Sequence, residues 1–468
     1  MDKQQKYSWR EIDRVEEQKR AAPARLSDFQ QTYRAYDELT AREQASRCVQ
    51  CPHANCVAAC PLELPIPELL ALTAEGQFKA AAELLLTTQS LPEFFAHVCV
   101  EGRLCEAACV VGAKSEPVPI NAISRFLLDY GWKHGVSEPA PEPFNGQRVL
   151  VVGSGLCGLV AADALSRLGY GVTVMDSMAK PGGRLMNGLP GFRLDKAVIG
   201  YRIQVLKERG VQFRMQVDWN TIPTVGELRH SFDAVFVAFG RTNPVPLEIP
   251  GASLQGVCQA YPFVVQETSD VPLAAPPIDV EDKRVLILGG SETAVNAARV
   301  ALRCRAREAA CVYRRDEASM PANPIFYREA VEEGVGFHFL SQPVAVLGNE
   351  AGHVTAVRCA RTKLMGIDSS GRGLPCVIPE SEFEVPADVV LIAYGFTPPM
   401  LPRGRQFAEL QVDSRGCLVV NSKQMTNIPG VFAGGSIVRG ALTLPEVVTD
   451  AHHAVEDINT YLTIQRHK

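Results

Sequence analysis

The chain has 468 residues, 46% of them hydrophobic, and a formal charge of −5. That length supports two to four domains with ample core, and the absence of a basic excess argues against a nucleic-acid surface. No apolar stretch reaches the roughly 18 residues needed to span a membrane, and the polar N-terminus has no signal-like apolar core, so the reading is a cytoplasmic protein.

All the negative excess lies in residues 1–146, with 15 Lys and Arg against 20 Asp and Glu; the remainder holds 32 of each. Residues 1–40 read as helical and highly charged, with Ser27 and Asp28 as a cap. Residues 41–135 place the cysteines on short helices and loops, and Pro65-Ile66-Pro67 precedes an amphipathic helix from Glu68 to Leu86. The proline-rich stretch from Ser137 to Gly146 cannot propagate a helix and reads as a linker.

Seven of the fourteen cysteines fall between Cys48 and Cys109. They form the runs Cys48-x2-Cys51-x4-Cys56-x3-Cys60-Pro61 and Cys99-x5-Cys105-x3-Cys109. Without a secretion signal they read as reduced thiolates rather than a disulfide framework. Thiolates at such spacings can converge on a four-iron cube, and a proline after the last cysteine of a run is a ferredoxin habit. Seven suit two cubes with one non-cysteine ligand. Zinc is the alternative, since C-x2-C pairs also build ribbons, but these spacings do not pair as ribbons do. Cys157, Cys258 and Cys304 are scattered and read as packing residues.

A strand then begins at Arg148 and runs to Val152; a similar one spans Lys283 to Leu288. Each leads into a glycine-rich turn, an alanine-rich helix and a further strand, Gly171 to Asp176 and Ala310 to Tyr313. This pattern predicts two Rossmann-like domains, the second inserted in the first. In the first turn, Gly153 permits the bend, Gly155 lets the backbone approach a pyrophosphate, and Gly158 lets helix and strand pack closely. Asp176 stands where a carboxylate accepts from an adenosine ribose. In the second turn, Gly289, Gly290, Ser291, Glu292 and Thr293 precede Ala294, so a serine occupies the middle glycine position. Its next strand ends in Arg314 and Arg315 with no acid, which suits a 2′-phosphate and hence NADPH, with NADH as the other candidate. A late segment, Val431 to Gly435, reads as returning to the first site. Hydride transfer asks for orientation rather than a general base, and no catalytic triad is expected.

Together these residues resemble the small subunit of bacterial NADPH-dependent glutamate synthase and the related amino-terminal half of dihydropyrimidine dehydrogenase, from about Ala45 to Leu462. The resemblance includes Gly182 to Leu194 with Arg184 and Arg193, Tyr313 to Pro321, Ala393 to Phe396 with Gly395, and Pro429 to Ala441. It implies an α/β chain with a helical iron–sulfur domain (1–137), a linker (138–147), an FAD domain in two parts (148–275 and 396–468) and an NAD(P)H domain between them (276–395). It implies FAD, NADPH and two [4Fe-4S] clusters. Cys48, Cys51, Cys56 and Cys109 would hold one cluster, and Cys60, Cys99 and Cys105 the other, with Ser124 at the position where the family places a Gln or Glu ligand. Three further departures touch cofactor contacts. The second turn reads GGSETA. Ser436, after Gly435, replaces a flavin-binding Asp, at a cost of about 1.5–3 kcal/mol for a lost charged acceptor. A family glycine turn reads Asp450-Ala451-His452.

The reading is an electron-input subunit: NADPH to FAD, FAD to clusters, clusters to a partner redox subunit, with the acidic, cysteine-bearing N-terminal part as the docking surface. Two alternatives are a non-catalytic iron–sulfur scaffold with degenerate nucleotide sites and a pyrimidine dehydrogenase-type subunit.

Overall fold

The computed structural model describes residues 5–88, 90–99, 104–219, 221–268, 277–368, 371–398, 407–440 and 442–466. Beyond residue 37 a small helical bundle forms from Glu38–Ser46, Ile66–Ala74, Phe78–Thr88, Pro92–Val98 and Ile120–Lys133. Asp37 caps the first of these, its carboxylate accepting from Thr40 N at 2.8 Å. Leu69, Leu70, Ala81, Leu85, Ile123 and Leu127 close the bundle core, each at most 1% exposed. Each such Leu or Ile contributes about 1.5–3 kcal/mol.

The expected helix Glu68 to Leu86 is two helices. Gly76 adopts φ +76°, Gly76 N donates to Thr73 O at 3.0 Å and Gln77 N to Leu72 O at 2.8 Å. That is a left-handed glycine stop, which satisfies the terminal carbonyls of Ile66–Ala74.

Residues 1–40 also differ from the helical expectation. Among the described residues up to Asp37 they hold the 3₁₀ turn Gln5–Arg10, the short helix Ala22–Leu26, and an antiparallel pair of Gln18–Lys19 with Tyr33–Arg34. Ser27 ends its helix rather than starting one, and Asp28 is gripped by Arg20 at 2.6 Å. The charges are spent on long-range contacts. Arg25, 2% exposed, pairs with Glu332 at 2.8 Å and Glu333 at 3.1 Å. Arg303 donates to Asp28 O at 3.0 Å, and Phe29 stacks on Phe192 with centroids 6.5 Å apart. Residues 17–36 are thus an arm laid across the second nucleotide domain.

Two five-stranded parallel sheets follow. The first runs in the order Val431–Ala433, Ala234–Val237, Arg148–Val152, Gly171–Met175, Gln212–Arg214; the second Gly336–His338, Glu308–Val312, Arg284–Leu288, Val389–Ile392, Val257–Gln259. The first sheet takes its edge strand from beyond the second sheet, so the second domain is inserted in the first. Its outgoing and returning chains pair as an antiparallel ribbon, Asn243–Pro244 with Phe396–Thr397. A three-stranded antiparallel sheet, Ser341–Gly348, Val354–Ile367 and Gly373–Pro386, packs on the second domain.

Buried ion pairs join the bundle to the first domain. Arg202, 2% exposed, meets Glu93 at 2.5 Å, Glu138 at 2.5 Å and Asp163 at 3.2 Å. Arg209 meets Asp163 at 2.8 Å and also pairs with Glu138. Proline-rich residues 138–147 are therefore pinned, with Glu142 N donating to Arg167 O at 2.9 Å and Asn145 N to Gly169 O at 2.9 Å.

Candidate functional site: two glycine turns and two thiolate cages

Both glycine turns stand at the C-terminal edge of the central strand of their sheet, where open α/β sheets bind ligands. In the first, Gly153 has φ +110°, and a Cβ there would lie 2.8 Å or less from the backbone of Ala238 and Phe239. Gly155 caps the twelve-residue helix Leu156–Arg167 with no side-chain cap, so its leading N–H groups face an open position; a Cβ on Gly155 would meet nothing within 4 Å. Gly158 is the tight one, its Cβ falling 1.9 Å from Gly153 O. This arrangement can take a phosphate on the helix N-terminus.

Asp176 follows the strand as expected, but it also braces the turn. Its Oδ2 accepts from Ser154 N and Oγ, both at 2.7 Å, and its Oδ1 from Met178 N at 2.9 Å. Ser154 was missed in the sequence; its small polar side chain inside the glycine run was the available signal.

Gly435 and Ser436 lie opposite this turn. A Cβ on Gly435 would sit 3.0 Å from Cys157 Sγ. Asp450-Ala451-His452 does not form the expected turn: all three lie inside the helix Leu444–Arg466, because nothing in that stretch interrupts helical hydrogen bonding. Asp450 instead sends its carboxylate to Gly435, accepting from Gly435 N at 2.5 Å, Arg439 Nε at 2.9 Å and Gln424 Nε2 at 3.2 Å. A buried carboxylate thus stands beside Ser436, supplied from a different element than the expected acid.

In the second turn Gly289 has φ +143°, and a Cβ on Gly290 would fall 2.6 Å from the Tyr313 ring. Ser291 caps the helix Glu292–Arg303 without bonding its backbone, and its Oγ is buried with no protein partner. An orphaned hydroxyl above uncapped N–H groups fits a phosphate oxygen. Thr293 lies in the same first turn. Glu292 and Asn296 face Arg193, at 3.4 Å and 3.5 Å. The Arg193 guanidinium also lies 3.0 Å from the Phe326 ring centroid, and burial lowers its pKa. Arg184 stacks on Phe396 at 3.6 Å and donates to Arg241 O, beside the ribbon that ends near Gly395. These two arginines therefore line the junction of the domains.

The structure separates the arginine pair. Arg315 is 5% exposed, donating to Asp368 at 2.5 Å and Gly373 O at 2.8 Å, so it fastens the antiparallel hairpin. Arg314 is exposed.

Among the described residues no cysteine is in a disulfide, and the seven divide into two cages. Cys48, Cys51, Cys56 and Cys109 line one cavity, together with Asn55 and Pro67. Burial, then the charges of its three cage neighbours, pushes the Cys48 thiol up to about 11, against a lowering hydrogen bond from Gln50. Cys60, Cys99 and Cys105 line a second cavity with Glu106, Asn121 and Ser124. Among the described residues no group of three or more Cys, His, Asp or Glu side chains is placed to hold a single metal ion. Glu106 and Asn121 were missed; both are adjacent in sequence or helical turn to the predicted ligands. Cys157 is buried and Cys258 and Cys304 partly so, in hydrophobic clusters.

Comparison with known proteins matches this anatomy. Residues 25–136 match the family model described as dihydropyrimidine dehydrogenase domain II, 4Fe-4S cluster; 151–207 match an NAD(P)-binding Rossmann-like domain, and 223–457 the pyridine nucleotide-disulphide oxidoreductase family. FprA from Mycobacterium tuberculosis in complex with NADPH shares the fold at TM-score 0.58 and 20% identity, over 69% of this chain and 86% of that one. The chain is an NAD(P)H-dependent flavoprotein oxidoreductase joined to a four-iron cluster domain.

More particularly, it is 36% identical to the glutamate synthase [NADPH] small chain of Azospirillum brasilense, over 95% of this chain and 93% of the relative. The Escherichia coli small chain matches at 32% over 98% and 99%, and the E. coli putative oxidoreductase AegA at 36% over 97% of this chain and 70% of that protein. The chain belongs to the glutamate synthase small-chain family, as an electron-input subunit. No helix among the described residues is long and apolar enough to cross a membrane.

Proposed function

We propose that this chain takes electrons from NADPH at the Ser291 turn, through FAD at the Gly153–Gly158 turn, into two [4Fe-4S] clusters and on to a partner redox subunit. When bound, the flavin takes hydride as an electron pair and passes single electrons to the clusters. The observation that carries this reading is the co-occurrence of two open helix N-termini at two sheet switch points with two thiolate cages in the adjoining bundle.

In this assignment Gly153, Gly155 and Gly158 seat the FAD pyrophosphate, and Asp176 faces its adenosine ribose while bracing Ser154. Gly435, Ser436 and Asp450 shape the opposite wall. Gly289, Gly290, Ser291, Glu292 and Thr293 seat NADPH, Arg314 meets its 2′-phosphate, and Arg184, Arg193 and Gly395 line the junction where the two rings meet. Cys48, Cys51, Cys56 and Cys109 hold one cluster; Cys60, Cys99 and Cys105 hold the other. An anaerobic absorbance spectrum with iron and flavin quantified, followed by NADPH titration, tests the whole route. About eight irons, bound FAD and bleaching by NADPH are expected. Flavin indifferent to both pyridine nucleotides would sink it in favour of a scaffold role.

The acidic docking surface narrows. Glu17 is buried against Arg125 and Asp28 is paired with Arg20, which leaves exposed Glu11, Asp13, Glu16, Glu38 and Glu43, besides Asp37, which caps the helix Glu38–Ser46. Converting these five to Gln or Asn slows transfer to the partner, in a salt-dependent way, while NADPH-driven flavin reduction keeps its rate. Unchanged transfer would remove this surface from the reading.

A further inference from the structure

We propose that the cluster at Cys60, Cys99 and Cys105 is held by three thiolates alone, so that its fourth iron has no protein ligand and exchanges. This deepens the two-cluster reading and rests on it. A four-iron cube presents four corners to its ligands. The first cage supplies four thiolates. The second supplies three, and among the described residues the other polar side chains on its wall are Glu106, Asn121 and Ser124.

Each of these has a competing commitment. Glu106 accepts from Arg14 Nη1 at 2.8 Å through Oε2 and from Asn121 N at 3.0 Å through Oε1, so both carboxylate oxygens are turned to protein donors. Ser124, 7% exposed, donates its Oγ to Ile120 O at 2.9 Å, one turn back on its own helix. As an iron ligand it would be either a weak neutral hydroxyl or an alkoxide that has given up that bond. Asn121 offers only a neutral carboxamide. Among the described residues the wall therefore brings no uncommitted anion to the fourth corner.

Loss of this iron needs no oxidant: a [4Fe-4S]²⁺ core that releases Fe²⁺ leaves a [3Fe-4S]⁰ core, and added Fe²⁺ restores it. The cage of four thiolates has no such open position and is the internal control.

The full-length chain, reconstituted anaerobically with natural iron and sulfide, is exposed briefly to a ferrous chelator, then to ⁵⁷Fe²⁺, and read by Mössbauer spectroscopy. About one iron in eight takes up label, in a single-site spectrum. Ser124→Ala keeps this uptake, and Ser124→Glu, which restores a longer anionic side chain, lowers it by about tenfold or more. Absence of uptake in the unaltered chain overturns the proposal. If uptake then appears in Ser124→Ala, serine is the ligand; if it appears instead in Glu101→Ala, whose position lies outside the described residues, the ligand is Glu101. A total of about four irons would instead remove the two-cluster reading itself, which the iron count registers before any labelling.

Discussion

The two nucleotide-binding domains repeat one plan and complete it differently. Both start with a central strand, a glycine turn and a twelve-residue helix, and both are fixed to the N-terminal region by buried arginine–carboxylate clusters. In the first domain the cluster is Arg202 and Arg209 with Glu93, Asp163 and Glu138; in the second it is Arg25, Arg299 and Arg303 with Glu329, Glu332 and Glu333. The turns diverge at their middle and third glycine positions and at the next strand end. Gly158 is pressed against Gly153 O, whereas the equivalent Ala294 fits its methyl without exposure. Asp176 closes the first site with an acid, and Arg314 opens the second with a base. The shared parts fit a phosphate seat; in the proposed assignment the unshared parts decide which nucleotide sits there.

The largest test of this comparison is on the second cluster. Burial would raise the Glu333 carboxyl, yet Arg299 and Arg303 outweigh it and hold it from an ordinary 4.5 down to about 2. A carboxylate depressed in the folded state stabilises fully above about pH 4.5 and loses that contribution as pH falls through about 2. Glu333→Gln leaves buried guanidinium groups unbalanced and costs about 3–5 kcal/mol, seen as a lower denaturation midpoint at pH 7 and a flatter acid limb between pH 4.5 and 2. An unchanged acid limb would show that the arm is not fastened through this residue.

Gly158→Ala forces the first turn apart, costing about 1–3 kcal/mol by overpacking and releasing flavin on gel filtration. The mirror change, Ala294→Gly, costs about 1 kcal/mol of helix propensity and leaves flavin in place. Equal flavin retention in both variants would erase the distinction between the turns.

Arg314→Ala removes the proposed charged partner of the 2′-phosphate, about 1.5–3 kcal/mol, so the Kd for NADPH is expected to rise about tenfold or more while that for NADH holds. Arg315→Ala disturbs the hairpin through Asp368 and affects both nucleotides alike. The reverse pattern in paired titrations would reassign the phosphate to Arg315. Smallest of all, Ser291→Gly shifts NADPH affinity by no more than about fivefold, or ~1 kcal/mol; a larger loss would make the serine hydroxyl the main phosphate donor.

Local patterns were the legible part of this molecule. The strand–turn–helix units announce themselves because their apolar run, glycines and helix all lie within a short window, and the cysteine runs because thiolates at such spacing have few other uses. Two kinds of feature escaped. One is the irregular stop, as at Gly76, where a single left-handed residue divides an apolar pattern that continues unbroken through it. The other is the distant partner. Nothing near Arg25 indicates Glu332 and Glu333, nothing near Arg315 indicates Asp368, and nothing near Ser436 indicates that Asp450 fills in beside it from a helix. Charged residues read as solvated because most are, and only the assembled fold shows which ones it buries.

The edge strand Val431–Ala433 completes the first parallel sheet by pairing Val431 with Val235 across the whole inserted domain. During synthesis the first four strands of that sheet leave the ribosome with one side unpaired, and remain so until the inserted domain has been made. The inserted domain has all its own strands in hand earlier and can close first. The incomplete sheet is thus the species at risk of aggregation in the nascent chain, and a slow step in maturation falls at the arrival of the last segment, which brings with it Gly435, Ser436 and Asp450.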